Sequence, residues 1–214
     1  AVHGILYNHE GVRRGEEFVT RKITKGVARI SRAMDQGKEF DPIPLGNIHS
    51  KRDWSDSEDF VDGVWKMLNQ ETPKEYILSS NETHTIKEFI EVAFSAAGIE
   101  GRWSGVDLEE KYVCSLDEDP LVVINEDFYR PCEVDILYGD SNPIREELGW
   151  KPEYSFKDLV SDKISQFSLS RKLTLLENNL YKPQNTNKKK RPCKDTARNP
   201  SQIVASRDFY GQSS

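Results

Sequence analysis

Cysteine is scarce in this chain of 214 residues, and its three cysteines, Cys114, Cys132 and Cys193, lie far apart. This spacing offers neither a disulfide framework nor the close pairs of a metal centre, and it is typical of a reducing compartment. The four histidines are also scattered, without the HxxxH or HExxH spacing of a metal site. We therefore expect no bound metal.

Long apolar runs are also missing. Apolar residues make up 36% of the chain and charged residues 31%. No segment approaches the roughly 20 consecutive apolar residues that a membrane helix needs. The first residues, AVHGILYN, lack the basic region and the long apolar core of a signal peptide. These absences predict a cytoplasmic protein with no membrane partner.

Positive charge is concentrated at one end of the chain, although the net charge is −6. Residues 177–214 contain eight Lys/Arg and three Asp/Glu, whereas residues 1–176 contain 22 and 33. The acidic body would repel nucleic acid, so we expect no such partner. The basic tail, 177–214, has no apolar periodicity and is expected to be disordered. Its KKKR run is interpreted as solvated, with a targeting or polyanion-binding patch as the alternative.

Residues 1–176 show alternating strand and helix patterns, which favour an α/β fold. The helical patterns cover residues 18–37, 55–70, 83–98, 141–150 and 155–167, and the strand patterns cover 2–8, 75–80 and 121–125. In the second helix, Ser55 or Ser57 is the expected cap. The expected buried stripe of that helix consists of Phe60, Val61, Val64, Trp65 and Leu68.

A polar cluster follows the first apolar segment. In LYNHEGVRRG, residues 6–15, an amide, an imidazole and two guanidinium groups appear where a strand should end. Ligands of α/β proteins bind at strand ends, and the planar fork of arginine suits phosphate. Asn8, His9, Arg13 and Arg14 therefore predict a site for a diphosphate or a dinucleotide; a solvated loop is the alternative.

Two further clusters could bind the same kind of ligand. In LGNIHSKRDW, Arg52 precedes Asp53 and Trp54 just before the second helix. In DFYRPCEVD, Arg130 and Glu133 flank a rigid proline segment and could hold phosphate and ribose hydroxyls. Structural Arg–carboxylate pairs explain both patterns equally well.

Five motifs in order make the chain resemble the C-terminal half of the GDP-mannose 4,6-dehydratase family. They are GILYNHEGVRRG, FVTRKI, LGNIHSKRDW, DFYRPCEVD and GDSNPIREELGWKP, and the resemblance covers roughly residues 1–170. This family belongs to the extended short-chain dehydrogenases/reductases. The resemblance implies the last strands of a Rossmann-like domain together with a smaller α/β substrate-binding domain.

The resemblance also implies ligands and roles. His9 and Arg14 match positions that touch NADP. The positions matching the GDP-mannose site are Asn8, Lys22, Arg52, Arg130 and Glu133, with Arg21 and Asn47 as secondary candidates. The family oxidises the sugar at C4, removes water across C5 and C6 and returns the hydride to C6, the first step of GDP-fucose synthesis. Its members form dimers or tetramers.

The chain lacks the parts that would carry out this chemistry. Its 13 glycines form neither GxGxxG nor GxxGxxG, and none of its eight tyrosines is followed by lysine at the fourth position. The catalytic residues are expected upstream of residue 1. We expect this chain alone to be inactive, and its first strand to expose an edge or an apolar face. A non-catalytic GDP-sugar-binding module, or a partner of a full-length relative, is the alternative function.

Overall fold

A computed structural model describes residues 1–129 and 134–166. Eleven short strands lie within these residues: β1 Gly4–Leu6, β2 Asn8–Glu10, β3 Ile43–Leu45, β4 Lys51–Arg52, β5 Trp54–Asp56, β6 Tyr76–Leu78, β7 His84–Thr85, β8 Gly101–Ser104, β9 Lys111–Cys114, β10 Pro120–Ile124 and β11 Ile136–Leu137. The helices are α1 Val19–Gln36, α2 Ser57–Leu68, α3 Ile86–Ala96, α4 Asn142–Leu148 and α5, residues 156–166. The predicted α/β class is confirmed. No helix of the described residues is long and apolar enough to cross a membrane.

The first two strands pair with two different partners. β1 pairs in parallel with β6, and β2, which follows after Tyr7, pairs in parallel with β5. Within the described residues no second strand pairs with β1. Ile5 is 57% exposed and Leu6 37% exposed. The expectation that this strand exposes an edge and an apolar face is therefore confirmed.

The larger core lies between α1, α3, α5 and a four-stranded sheet with the order β3-β10-β9-β8. β3 lies at the edge of this sheet, which suits its proline. The amphipathic pattern of α1 is confirmed: Ile23, Val27 and Ile30 are fully buried. A three-stranded sheet, β11-β4-β7, connects this core to the segment that precedes α2.

The caps of the helices explain where they begin and end. Gly37 stops α1 in a left-handed conformation with φ of 62°. At the start of α3, Thr85 and Glu88 form a capping box. The predicted cap of α2 is wrong, because Asp56 accepts the hydrogen bond from the Glu58 amide while Ser55 lies within β5.

The predicted buried face of α2 is correct for Phe60 and for the partly buried Val64 and wrong for its other three residues. Val61, Trp65 and Leu68 are 69%, 66% and 60% exposed. Gly63 and Met67 are buried with Phe60 at a small second core that contains Trp150 and Leu78. A Cβ at position 63 would lie 2.5 Å from Leu78 Cδ2 and 3.0 Å from the Trp150 ring. Because glycine has no Cβ, the helix can pack closely against Leu78 and Trp150 at this position.

Candidate functional site

Two neighbouring cavities open where β2 and β5 end, each with a volume of about 510 Å³. We call them the Arg13 cavity and the Lys22 cavity. The Arg13 cavity is lined by His9, Gly11, Val12, Arg13, Arg14, Gly15, Phe18, Ser57 and Glu58. Arg14 and Phe18 also line the Lys22 cavity and thus form the wall that the two cavities share.

Four segments of the chain contribute to the Lys22 cavity. Its lining comprises Asn8, Glu10, Arg14, Glu17, Phe18, Val19, Thr20, Lys22, Leu45, Gly46, Asn47, Arg52, Trp54, Ile86, Asp127, Phe128 and Tyr129. Aromatic rings therefore stand beside three cationic side chains. Such a lining suits a ligand with a planar ring and an anionic group.

Lys22 lies against an aromatic ring of this cavity. Its Nζ is 3.5 Å from the centroid of the Phe128 ring, a cation–π contact. Burial lowers the pKa of Lys22 below its ordinary value of 10.5. Desolvation of this kind strengthens the attraction of an ammonium group for an anion that reaches it.

The start of α1 adds to the positive potential of the Lys22 cavity. Phe18, Val19 and Thr20 form this start and line the cavity. The first turn contains no acidic residue, and no side chain caps it. An 18-residue helix whose start has no side-chain cap favours a phosphate there. By contrast, α2 reaches the Arg13 cavity with Glu58 in its first turn and Asp56 as its cap.

Backbone contacts orient the other polar residues. The Asn8 side chain donates a hydrogen bond of 3.1 Å to the Asp53 carbonyl. Arg52 Nη1 donates to the carbonyls of Lys51 and Val134 at 2.9 and 2.7 Å. These bonds hold the Asn8 amide at the start of β2 and the Arg52 guanidinium at the end of β4.

His9 and Arg14 are held together at the wall of the Arg13 cavity. His9 Nδ1 lies 2.9 Å from the Tyr7 carbonyl, and its ring packs on Phe60. Arg14 Nη1 donates to the His9 carbonyl at 3.2 Å. The Arg14 guanidinium lies 3.5 Å above the Phe18 ring. Both side chains therefore have defined orientations next to the exposed Arg13.

Most of the predicted site residues meet at these cavities. Asn8, Lys22, Arg52 and the secondary candidate Asn47 line the Lys22 cavity, and His9 and Arg14 line the Arg13 cavity. Arg21 lines neither of them. Arg130 and Glu133 lie outside the described residues, as does the tail 177–214. Within the described part of the chain, no three His, Cys, Asp or Glu side chains could hold a metal ion together.

Other residues of the site had no clear signal in the sequence. Glu10 is 1% exposed and accepts hydrogen bonds from Thr20 Oγ1 at 2.7 Å and from Lys163 Nζ at 3.0 Å. Lys163 lies 153 positions away along the chain. The aromatic walls were also missed, since Phe18, Phe128 and Tyr129 follow no periodic pattern around the polar motifs. Only the position of Glu10, four residues before Arg14, indicated that these two side chains could form an ion pair.

A family model described as GDP-mannose 4,6 dehydratase matches residues 1–163. The chain belongs to the GDP-mannose 4,6-dehydratase family. A relative from Drosophila melanogaster is 44% identical over 162 residues, which cover 76% of this chain and 40% of the relative. The human relative is 37% identical over 164 residues, covering 77% and 43%. Both carry the name GDP-mannose 4,6 dehydratase. The chain thus spans less than half the length of these relatives.

Solved structures show the same fold at lower identity. RMD from Pseudomonas aeruginosa, solved with NADPH, has a TM-score of 0.56 and 20% identity, over 78% of this chain and 47% of that one. The dTDP-glucose 4,6-dehydratase of Bacillus anthracis, solved with NAD, has a TM-score of 0.57 and 14% identity, over 79% and 45%. These neighbours support the partial Rossmann-like fold. The family match includes every described residue that lines the two cavities.

Proposed function

We propose that this chain is the substrate-binding half of a GDP-mannose 4,6-dehydratase, with GDP-mannose in the Lys22 cavity and NADP in the Arg13 cavity. The observation that carries the proposal is that Asn8, Lys22 and Arg52, from three separate segments, line one cavity. Adjacent to it, His9 and Arg14 line the second. Family membership supplies the sugar nucleotide as the ligand class.

The lining of the Lys22 cavity supports a nucleoside diphosphate. Lys22 and Arg52 supply positive charge for the diphosphate, and the start of α1 supplies amide groups. The aromatic rings of Phe18, Phe128 and Tyr129 supply surfaces on which a base can stack. In the same proposal, Arg130 and Glu133 complete the sugar-nucleotide site.

The Arg13 cavity fits part of a dinucleotide. His9, Arg13 and Arg14 give it donors and cationic groups, which suit an anionic cofactor. NADP, when bound, would accept and return the hydride. The residues of this chain would bind and orient one end of it through His9 and Arg14. The choice of NADP over NAD rests on the family resemblance.

We propose that the 214-residue chain by itself has no dehydratase turnover. It contains neither the glycine-rich turn nor the tyrosine–lysine pair that serves as acid and base. Acid–base groups contribute about 10²–10⁴-fold in rate. A chain with both cavities but without these groups would bind ligand and not convert it.

Calorimetry with GDP tests the binding function. We expect saturable binding of GDP to the purified chain and about tenfold or greater weakening in Lys22→Met. Lys25→Met is the matched control, since Lys25 lies on the same helix, lines neither cavity and pairs with Glu16 at 2.6 Å. A Lys25→Met loss equal to that of Lys22→Met, or no GDP binding by a folded chain, would refute the proposal.

A second assay separates binding from catalysis. The chain is incubated with GDP-mannose and NADP, and formation of the 4-keto-6-deoxy product is followed. We expect none. Product formation by the chain alone would overturn the claim of inactivity and leave the binding proposal intact.

A non-catalytic binding module is the second candidate function. Among residues 1–129 and 134–166, β1 has a strand partner on one side only, and this favours the second candidate, because a strand edge without a partner can join a sheet of another polypeptide. Mixing the chain with a full-length relative and measuring mass by light scattering tests this candidate. A mixed assembly that binds GDP is the expected result, and separate species would exclude it.

A further inference from the structure

An ion pair between Glu10, which lines the Lys22 cavity, and Lys163 connects distant parts of the chain. Glu10 at the end of β2 is 1% exposed, and Lys163 in α5 is 5% exposed. Lys163 Nζ lies 3.0 Å from Glu10 Oε2 and donates a second hydrogen bond of 3.2 Å to the Gly11 carbonyl. Lys163 lines neither cavity.

The same carboxylate contacts the wall that separates the cavities. Glu10 Oε1 is 3.4 Å from Arg14 Nε, an ion-pair distance. Thr20 Oγ1 in the first turn of α1 donates to Oε2. Glu10 thus connects α5 to Arg14 and to the start of α1, which are two parts of the cavity lining.

The position of the Glu10 carboxylate depends on Lys163. The carboxylate lies at ion-pair distance from Lys163 through Oε2 and from Arg14 through Oε1. Without Lys163, Glu10 would lose the ammonium group that fixes Oε2. Glu10 could then no longer hold the Arg14 guanidinium in a fixed position at the wall of the two cavities.

We propose that Lys163 is a positioning residue for both cavities, which acts through Glu10 to hold Arg14 ready for anionic ligands. The inference rests on the proposed function of the two cavities and adds a residue that touches neither ligand. It predicts that GDP and NADP binding depend together on one buried pair. Burial lowers the pKa of Lys163, while Glu10 opposes this effect.

A purely structural role for the pair is the competing explanation. Removal of one partner leaves a buried unpaired charge, which destabilises a fold whatever its ligands. Replacement of both partners by neutral groups of similar size removes that penalty. A structural role therefore predicts that the double variant recovers both stability and ligand affinity, whereas a positioning role predicts recovery of stability alone.

The experiment compares Lys163→Met, Glu10→Gln and the double variant in the 214-residue chain. Melting temperatures report stability, and calorimetry with GDP and with NADP reports affinity. We expect the double variant to melt near the wild-type temperature and to bind both nucleotides about tenfold more weakly. The matched control is Lys87→Met with Glu110→Gln, a second low-exposure pair that lines neither cavity, and it should bind like wild type.

The outcomes distinguish a failure of this inference from a failure of the proposed function on which it rests. A folded wild-type chain that binds neither nucleotide counts against the proposed function. Wild-type affinity in the stable double variant overturns the positioning role alone. Thr20→Val, which removes one hydrogen bond of Glu10 and no charge, is the second variant should the double variant not fold. We expect Thr20→Val to weaken both nucleotides in the same ratio, and unchanged affinity for both would overturn the inference.

Discussion

The ammonium group of Lys22 lies 3.5 Å from the centre of the Phe128 ring, across the cavity that we assign to GDP-mannose. The two residues come from α1 and from a single-turn helix, Glu126–Phe128, more than a hundred positions further along the chain. The ring shields one side of the ammonium from water. The opposite side is therefore the direction from which an anion can approach the charge.

Alkaline pH should weaken GDP binding through Lys22. Burial lowers the pKa of Lys22, and only the protonated form attracts a diphosphate. Affinity is therefore expected to fall as pH rises through this lowered pKa, which lies below 10.5. Lys22→Arg stays charged over the whole range, so its binding should lack this part of the decline. Calorimetry from pH 7 upwards measures both proteins; parallel declines would contradict the prediction.

Gly46→Ala should damage the Lys22 cavity. A Cβ at this position would collide with the backbone carbonyl of Phe128. The turn that bears Phe128 must then move away from Lys22, at an expected cost of about 1–3 kcal/mol in unfolding free energy. We expect weaker GDP binding in calorimetry as well.

Gly149→Ala is the control for this substitution. Gly149 has a positive φ of 61° and no atom near its Cβ position, so alanine there should cost about 1 kcal/mol of stability through backbone strain. Gly149 lines neither cavity, and GDP affinity should stay the same. An equal loss of affinity in both variants would show that destabilisation, not the cavity, is responsible.

Glu110 should make stability sensitive to acid. Burial alone would raise the pKa of Glu110, but hydrogen bonds and charge from Lys87 and His49 outweigh this effect and lower it below 4.5. The stabilisation is therefore complete above pH 4.5 and is lost as pH falls through the lowered pKa. Glu110→Gln should unfold about 1–3 kcal/mol more easily at neutral pH.

Denaturant unfolding between neutral pH and pH 3 measures this effect. The difference between wild type and Glu110→Gln should shrink toward the acid end, because protonation removes the same charge that the substitution removes. Glu118→Gln is the control, since Glu118 pairs with Arg102 on an exposed surface. A constant difference across the pH range would contradict the assignment.

The orientation of α2 can be tested by comparing the stability of two variants, each with one aromatic residue of this helix replaced. Phe60 is 2% exposed and Trp65 is 66% exposed. Phe60→Ala should lower the unfolding free energy by about 3–5 kcal/mol, because it opens a cavity against Trp150 and His9. Trp65→Ala should change it by no more than about 0.5 kcal/mol. Denaturant titrations of both variants measure this, and a reversed order would mean that the helix is turned the other way.

Local patterns in the sequence were enough to predict the five α-helices of the described residues. The apolar spacing in α1, the capping box of α3 and the glycine after Gln36 each act within a few residues, so the sequence contains the whole cause. The polar clusters around Asn8 and Arg52 were found because each stands near the end of an element, and the resemblance to the family added Lys22 and assigned all three to one site. In α/β proteins such positions collect at one edge of a sheet.

Tertiary structure alone decided which face of α2 is buried and which charges meet at Glu10 beside the cavities. Both faces of α2 are apolar enough to be buried, and the close fit of Gly63 against Trp150 selected one of them. Glu10 and Lys163 are separated by 153 positions, so no local pattern could pair them. Helix and cap formation depend on neighbours along the chain, whereas burial and ion pairing depend on neighbours in space, which only the packing of β2 against α5 brings together.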